Sequence, residues 1–359
     1  MKKLAELNLD SRHAFEECRR RAREVWMNFP VKFMHGLQNA NVSGDYIYNS
    51  KNTRHSYRVS GVEDSKYCHN LLSGPVRDCY DYSNWGEGSE LIYEGIVCGD
   101  QTYNVKFSWN CFGGCKNVQY SMFCPGSADI FGCVGTHKKQ YCILNKQYSK
   151  EEYEALVPKI IRHMNDAPYV DQKGRVYRYG EFFPSAFSPF PYNVSEAHEL
   201  FPKTKMEAET EGLFWREEEK RNYVPTMRAG DLPDRIKDVD DGILKEIIAC
   251  AHGGDCDEEC TSAFRIIARE LAFLKQFNIP LPQLCPNCRH YGRLAQRNHP
   301  RFFKRKCQCA GKNSENKTYT NVAPHSHGEG RCLNEFETSY APDRPEIVYC
   351  EQCYNAEVA

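Results

Sequence analysis

The sequence predicts a mixed, mainly β protein in four parts. Residues 1–39 read as a helical segment and 40–147 as an irregular β-solenoid or β-sandwich. Residues 148–249 read as a helical and aromatic-rich connector, and 250–359 as a tandem module centred on cysteines. Three observations predict this. An aromatic residue returns every 10 to 14 positions through the first half. A capped amphipathic helix signal opens at Ser149. Ten of the 19 cysteines crowd between Cys250 and Cys353.

The totals set the frame. A chain of 359 residues holds two or three domains. Its 47 basic and 48 acidic residues leave a net charge of −1, so any partner preference must lie in how charge is distributed. No apolar run reaches the roughly 18 residues of a membrane helix, and MKKLAELNLD has no apolar stretch of the kind a secretion signal carries. An odd number of cysteines without such a signal argues against a disulfide framework. It points to a reducing, cytoplasmic setting.

In the first half the marker aromatics are Tyr57, Tyr67, Tyr80, Tyr93, Phe107, Tyr120, Phe131 and Tyr141, at steps of 10, 13, 13, 14, 13, 11 and 10. Two copies overlay well: Val105-x-Phe107-x-Trp109-x-Cys111 and, 13 residues on, Val118-x-Tyr120-x-Met122-x-Cys124. Each reads as strict period-2 alternation, a strand with one buried face. Turn clusters such as Gly113-Gly114 and Pro125-Gly126-Ser127 separate them. Because the copies repeat an apolar pattern and not merely a length, a solenoid is favoured over a sandwich. Cys68, Cys79, Cys98, Cys111, Cys124, Cys133 and Cys142 then become small core residues stacked between coils. A metal or redox role for Cys111-x3-Cys115 is the weaker reading, since the two flank a Gly-Gly turn and nothing basic activates either thiol.

The connector opens with SKEEYEALVPKIIRHM. Ser149 is the N-cap, Glu152 completes a capping box, and Pro158 is expected to kink or split the helix. Residues 167–203 are rich in aromatics and proline, with a hairpin turn expected at Gln172-Lys173-Gly174 and a peptide-binding groove as the sharper reading. Residues 204–222 read as a charged surface helix, and 231–248 lead into another. Asp238, Asp240 and Asp241 fit a solvated, helix-starting cluster better than a metal or acid–base site, because no histidine or calcium-loop glycine accompanies them.

The last third carries the chemistry. Cys260, with Phe264 four residues on, precedes Cys285-x2-Cys288; Cys332, with Phe336 four residues on, precedes Cys350-x2-Cys353. A C-x2-C turn aims two thiolates at one point, and a second knuckle supplies the rest of a tetrahedral site. The expected quartets are Cys256, Cys260, Cys285 and Cys288, then Cys332, Cys350 and Cys353 with Cys309 or His327. Cys250 and His252 are spares for the first, Cys307 and His325 for the second. Thiolate-rich tetrahedral sites select zinc. An iron–sulfur cluster takes the same ligands on paper, but the spacing resembles a zinc ribbon or treble clef. The expectation is about two structural zinc ions per chain.

The stretch CTSAFRIIARELAFLKQFNIPLPQLCPNCRHYGR resembles the small "probable zinc-ribbon" domain, in which a cysteine knuckle, a phenylalanine strand and a Glu-x2-Phe helix precede Cys-x2-Cys-Arg. The matching residues here are Cys260, Phe264, Glu270, Phe273, Cys285, Cys288 and Arg289. The first knuckle departs from that pattern, with Cys256-x3-Cys260-Thr in place of Cys-x2-Cys-Gly. The chain as a whole is similar to an uncharacterised bacterial family known mainly from environmental sequence. The resemblance implies zinc binding and no activity.

Finally, residues 271–314 contain no Asp or Glu but nine Lys or Arg, with arginines four apart at 289, 293, 297, 301 and 305. Arg289, Arg293, Arg297, Arg301, Lys304, Arg305 and Lys306, interleaved with Tyr291, Phe302 and Phe303, suit phosphate contacts and base stacking. Helical geometry over 289–297 would place the first three arginines on one face. The competing reading is a basic face docked on this chain's own acidic stretches or on a protein partner, with zinc as a staple. A treble-clef nuclease using His290 or His299 is a third. Nothing marks a small-molecule substrate or a membrane contact, and the function expected is binding rather than catalysis.

Overall fold

A computed structural model of the chain describes residues 8–217, 223–256 and 258–358. Of the helical segment expected at 1–39, residues 1–7 lie outside the described residues, as do 218–222 of the charged stretch. Helix α1 (Arg12–Met27) is capped by Ser11, whose Oγ accepts from the Ala14 amide at 3.2 Å. A β-solenoid of about eight turns follows, from Gly36–Leu37 to Gln140–Ile143, every neighbouring rung parallel. The short strand Lys146–Gln147 folds back antiparallel and finishes it. The sandwich alternative falls, since a sandwich is built from antiparallel pairs.

The repeat inside each coil is three residues, not two. Thr102, Val105, Ser108 and Cys111 face the interior, and in the next coils so do Val118, Ser121, Cys124, Ser127, Ile130 and Cys133; all are buried. Between them a left-handed residue recurs with the same period, at Asn104, Phe107, Asn110 and Gly113, then Asn117, Tyr120, Phe123, Gly126 and Asp129. Two extended residues and one left-handed corner make each short side. Asn and Asp tolerate that corner better than most side chains, which explains their frequency there. Val118 pairs with Ile130 and Ile130 with Cys142, so one coil is four triplets. The coil from Val105 to Val118 is one residue longer, and there Gly113 and Gly114 are both left-handed. The alternation read over 105–111 is thus corrected. Val105 and Cys111 do point inward, but Phe107 is a corner residue on the outer face.

Stacking these coils builds straight interior columns. One runs Thr53, Ser65, Cys79, Ile92, Val105, Val118, Ile130 and Cys142. The solenoid is too narrow for large side chains, and Tyr82 is the exception. Gly95 lies beside it, where a Cβ would stand 2.5 Å from Ile92 Cγ2. The solenoid cysteines are core residues, as expected. Their thiols donate to carbonyls of the next coil, Cys98 to Ser108 and Cys111 to Ser121 at 3.4 Å, and Cys133 to Cys142 at 3.5 Å. Burial pushes Cys115 up to about 11 and Cys79 up to about 12, which removes the thiolate that redox chemistry would need.

The marker aromatics form ladders on the outer face, Tyr67 against Tyr80 and Phe107 against Tyr120. Helix α2 (Lys150–Asp166) has the expected capping box and runs through Pro158 as one element. It lies along the last coils, its Tyr153, Leu156 and Ile160 clustering with Phe131, Tyr141 and Ile143. The hairpin at 172–174 forms between Tyr169–Val170 and Val176–Tyr177, and Tyr179 and Phe183 cover Phe107 and Tyr120. The solenoid's own ladder therefore occupies part of the groove expected for a peptide. Residues 231–248 form 3-10 turns in place of the expected helix. Asp240 caps Gly242, and Asp241 pairs with Lys275 at 3.1 Å.

The two ends of the chain meet. Strand Pro30–Lys32, just before the solenoid, pairs in parallel with Ile347–Tyr349 near the C-terminus. Asp45, fully buried in the first coils, accepts from the amides of His35 and Tyr46 and from the Ser339 hydroxyl. Tyr57 donates to the Asn298 carbonyl at 2.6 Å. The cysteine-rich tail is thus seated on the start of the solenoid.

One outer-face group makes the solenoid sensitive to pH. Burial, then Asp81 and Glu181, raise the Glu94 carboxyl from 4.5 to about 7, and its Oε2 is buried without a hydrogen-bond partner among the described residues. Folding therefore favours the protonated form. Its contribution is full below about pH 4.5 and is lost as pH rises through about 7. Glu94→Gln is expected to stabilise the protein by about 1 kcal/mol near pH 8, after allowance for solvent screening, and by much less near pH 5. Thermal melts at both pH values check this; equal effects would contradict it.

Candidate metal centre

Two short elements assemble the first cluster. Strands Ile248–Ala249 and Ala263–Phe264 pair antiparallel and carry Cys250 and Cys260 to one end of the hairpin. Helix α3 (Ala268–Phe277) returns the chain over an apolar core containing Phe264, Ile266, Leu271, Leu274 and Leu281. Helix α4 (Pro286–Leu294) then starts with Cys285 as its cap: the Cys288 amide donates to Cys285 Sγ at 3.5 Å. The donor atoms of Cys250, Cys260, Cys285 and Cys288 all lie within 4.8 Å of one another.

This corrects the first expected quartet at one position. Cys250, not Cys256, joins Cys260, Cys285 and Cys288. Proximity in sequence favoured Cys256, but the hairpin decides: the Cys250 amide donates to Ser262 O at 2.8 Å, and Cys250 Sγ accepts from the Cys285 amide at 3.3 Å. Cys256 falls in an adjoining group with His252, Glu258 and a shared Cys288, its sulfur 3.8 Å from that of Cys288. Glu270 and Arg289, both part of the resemblance, form an ion pair at 2.8 Å; Phe273 is exposed.

The second cluster is more deeply buried. Strands Phe303–Lys306 and Glu335–Thr338 pair antiparallel, and the Cys307 amide extends the ladder to Asn334 O. Cys350-x2-Cys353 spans the start of helix α5 (Glu351–Val358). Cys307, Cys332, Cys350 and Cys353 form a buried tetrad. Cys307 thus stands in the fourth place of this tetrad, where Cys309 or His327 was expected. The Cys350 amide donates to Cys307 Sγ at 3.2 Å and fixes that choice. Cys309 and His327 belong instead to a neighbouring group with His325, which again shares one cysteine, Cys353.

The tetrads fit a single tetrahedral ion. A metal–sulfur bond of about 2.3 Å sets ligand sulfurs about 3.8 Å apart. The observed separations are 3.5 Å for Cys285–Cys288, 3.8 Å for Cys250–Cys288, and 3.9 Å for both Cys260–Cys285 and Cys332–Cys350. An iron–sulfur cluster needs room for its inorganic core and holds its cysteines farther apart. Each tetrad also contains a thiol ready to ionise. The Cys307 thiol, with Asn334 Nδ2 and the Cys353 amide, brings Cys350 down to about 4. At Cys285 burial opposes ionisation, but the Cys288 amide and Thr261 outweigh it and bring the thiol down to about 6. Four thiolates would fill the coordination sphere of such an ion and leave no open position for catalysis.

The basic row does not form one helical face. Helix α4 ends at Leu294, and the row continues through a turn into strand Phe303–Lys306. Some of its charges are spent within the molecule. Arg289 pairs with Glu270, Lys306 with Glu335 at 3.4 Å, and Arg305 donates to the Tyr340 and Ala341 carbonyls. Arg293, Arg297, Arg301 and Lys304 are exposed and make no ion pair with a described carboxylate; Arg301 lies over the Phe201 ring. The two histidines of the nuclease reading are engaged elsewhere, His290 with Glu199 and His299 with Leu200 O.

No protein-family model and no curated protein matches the sequence. The assignment of the first tetrad is open to direct test. Cys250→Ser is expected to lose about one metal equivalent per chain, whereas Cys256→Ser keeps the ion held by the tetrad. Elemental analysis of the two purified variants checks this, and the reverse pattern would restore Cys256 as the ligand.

Proposed function

We propose that the tail holds zinc as a structural ion and presents its basic row to nucleic acid. Thiolate-rich tetrahedral donors favour zinc over harder divalent ions, and the sulfur separations support one ion per tetrad. The reading rests chiefly on four cationic side chains, Arg293, Arg297, Arg301 and Lys304, exposed on the segment that joins the two tetrads and unpaired with any described carboxylate. Phosphates are the natural counter-charge for such a row. Phe302 and Phe303, half-buried beside it, offer ring surface for bases. The protein is then a binding protein, its zinc a fold-forming element, and the solenoid a rigid mount for the tail.

The test is fluorescence anisotropy with a labelled single-stranded oligonucleotide across a salt series. Binding is expected to weaken steeply with salt, with a log–log slope of about −3 for four phosphate contacts on a single strand. Arg293→Glu together with Arg297→Glu should lower affinity at least tenfold and flatten the slope, with metal content unchanged. Absence of binding at low salt, for DNA and RNA alike, would overturn the proposal and leave a protein partner as the better occupant of this face.

A further inference from the structure

Beside the buried tetrad stands a second donor set that shares only Cys353 with it. Cys309 Sγ, His325 Nδ1, His327 Nε2 and Cys353 Sγ lie within 4.8 Å of one another. Cys309 Sγ is 3.6 Å from His325 Nδ1 and 3.4 Å from His327 Nε2, which is 3.3 Å from Cys353 Sγ. Metal bonds of about 2.3 Å to sulfur and about 2.0 Å to imidazole nitrogen place tetrahedral S and N ligands about 3.5 Å apart. These three separations match that distance.

The two rings are held as ligands are held. His325 Nε2 is 2.7 Å from Glu357 Oε1, and these side chains are 2% and 0% exposed. Glu357 is itself fixed by the amides of Val322 and Ala323 and the Tyr319 hydroxyl. His327 Nδ1 is 2.9 Å from the Gly330 carbonyl. Each ring thus has an acceptor outside the set for one N–H, and in that tautomer its other nitrogen faces the sulfurs as a lone pair. A carboxylate–histidine pair of this kind orients a metal-bound imidazole. Cys309 Sγ also accepts from Asn321 Nδ2 at 3.2 Å, a hydrogen bond that supports a thiolate. Nothing in core packing requires two imidazole lone pairs to converge on two sulfurs.

We propose that this set binds a second ion of the zinc type, and that Cys353 bridges the two ions through its sulfur. The C-terminal cluster is then a binuclear centre with ligands Cys307, Cys332 and Cys350 on one side and Cys309, His325 and His327 on the other. The inference rests on the reading that the Cys307 tetrad holds an ion.

Native mass spectrometry of the full chain tests it by difference. Cys309→Ala with His327→Ala is expected to lose one ion relative to the unmodified chain, and Cys353→Ala to lose two. An unchanged count in the double variant would overturn the second ion. Loss of only one from Cys353→Ala would overturn the bridge. Because Cys353→Ala removes a buried ligand and can unfold the tail, a second measurement uses the unmodified protein. Loaded with spin-half cadmium, it should give one all-thiolate and one mixed thiolate–imidazole resonance from this cluster, split by mutual coupling through the shared sulfur. Two uncoupled resonances would overturn the bridge. A chain that carries no ion at all would overturn the zinc reading itself.

Discussion

Thiols from positions as far apart as Cys307 and Cys353 converge in the tail to separations that suit ligands of one ion. The rest of the tail depends on that convergence. The segment after Pro300 has one two-stranded ladder, a three-residue strand paired to the N-terminal region and one short helix. Its apolar cluster is largely the cysteines themselves, with Ile347 and Tyr349. So small a core gives little of the burial energy that ordering some sixty residues requires. On the proposed zinc reading, coordination of an ion supplies what packing does not, and makes metal affinity part of folding stability.

The same residue type does opposite work in the two halves. In the solenoid, cysteines occur singly at inward positions, several of their thiols donating to a carbonyl one coil away, and burial raises the thiols of Cys79 and Cys115. In the tail, amides and neighbouring thiols donate to sulfur, and at Cys285 and Cys350 they favour the thiolate. Spacing signals this difference only in part. C-x2-C pairs identify convergent cysteines, and their absence from residues 68–142 correctly set that group apart.

Much of the fold was legible because solenoids repeat. The aromatic series and the overlay of 105–111 on 118–124 gave the coil length, and Ser149 with Glu152 gave the helix start. The triplet inside the coil was missed because Phe107 and Tyr120 are apolar at period-2 positions, yet face outward and are covered by connector aromatics. The left-handed residues at Asn104, Asn110, Asn117 and Asp129 were the available signal. In the metal centre, the C-x2-C pairs, Cys260 and Cys332 were legible. Cys250 and Cys307 were not, because strand pairing between distant residues selects them over nearer candidates. His325 and Glu357, 32 residues apart in sequence, could not be linked by spacing at all.

The solenoid and the tail are joined through Asp45, Ser339, Tyr57 and Asn298 and through the strand pair at Pro30–Lys32. On the proposed reading, the ions order a surface that the solenoid holds in place. Hydrogen exchange with mass spectrometry, before and after metal removal by a strong chelator, tests this most directly. The account predicts that amides of residues 250–358 lose protection on chelation while those of the solenoid coils at 44–143 keep theirs. Protection of 250–358 that survives complete metal removal would contradict it.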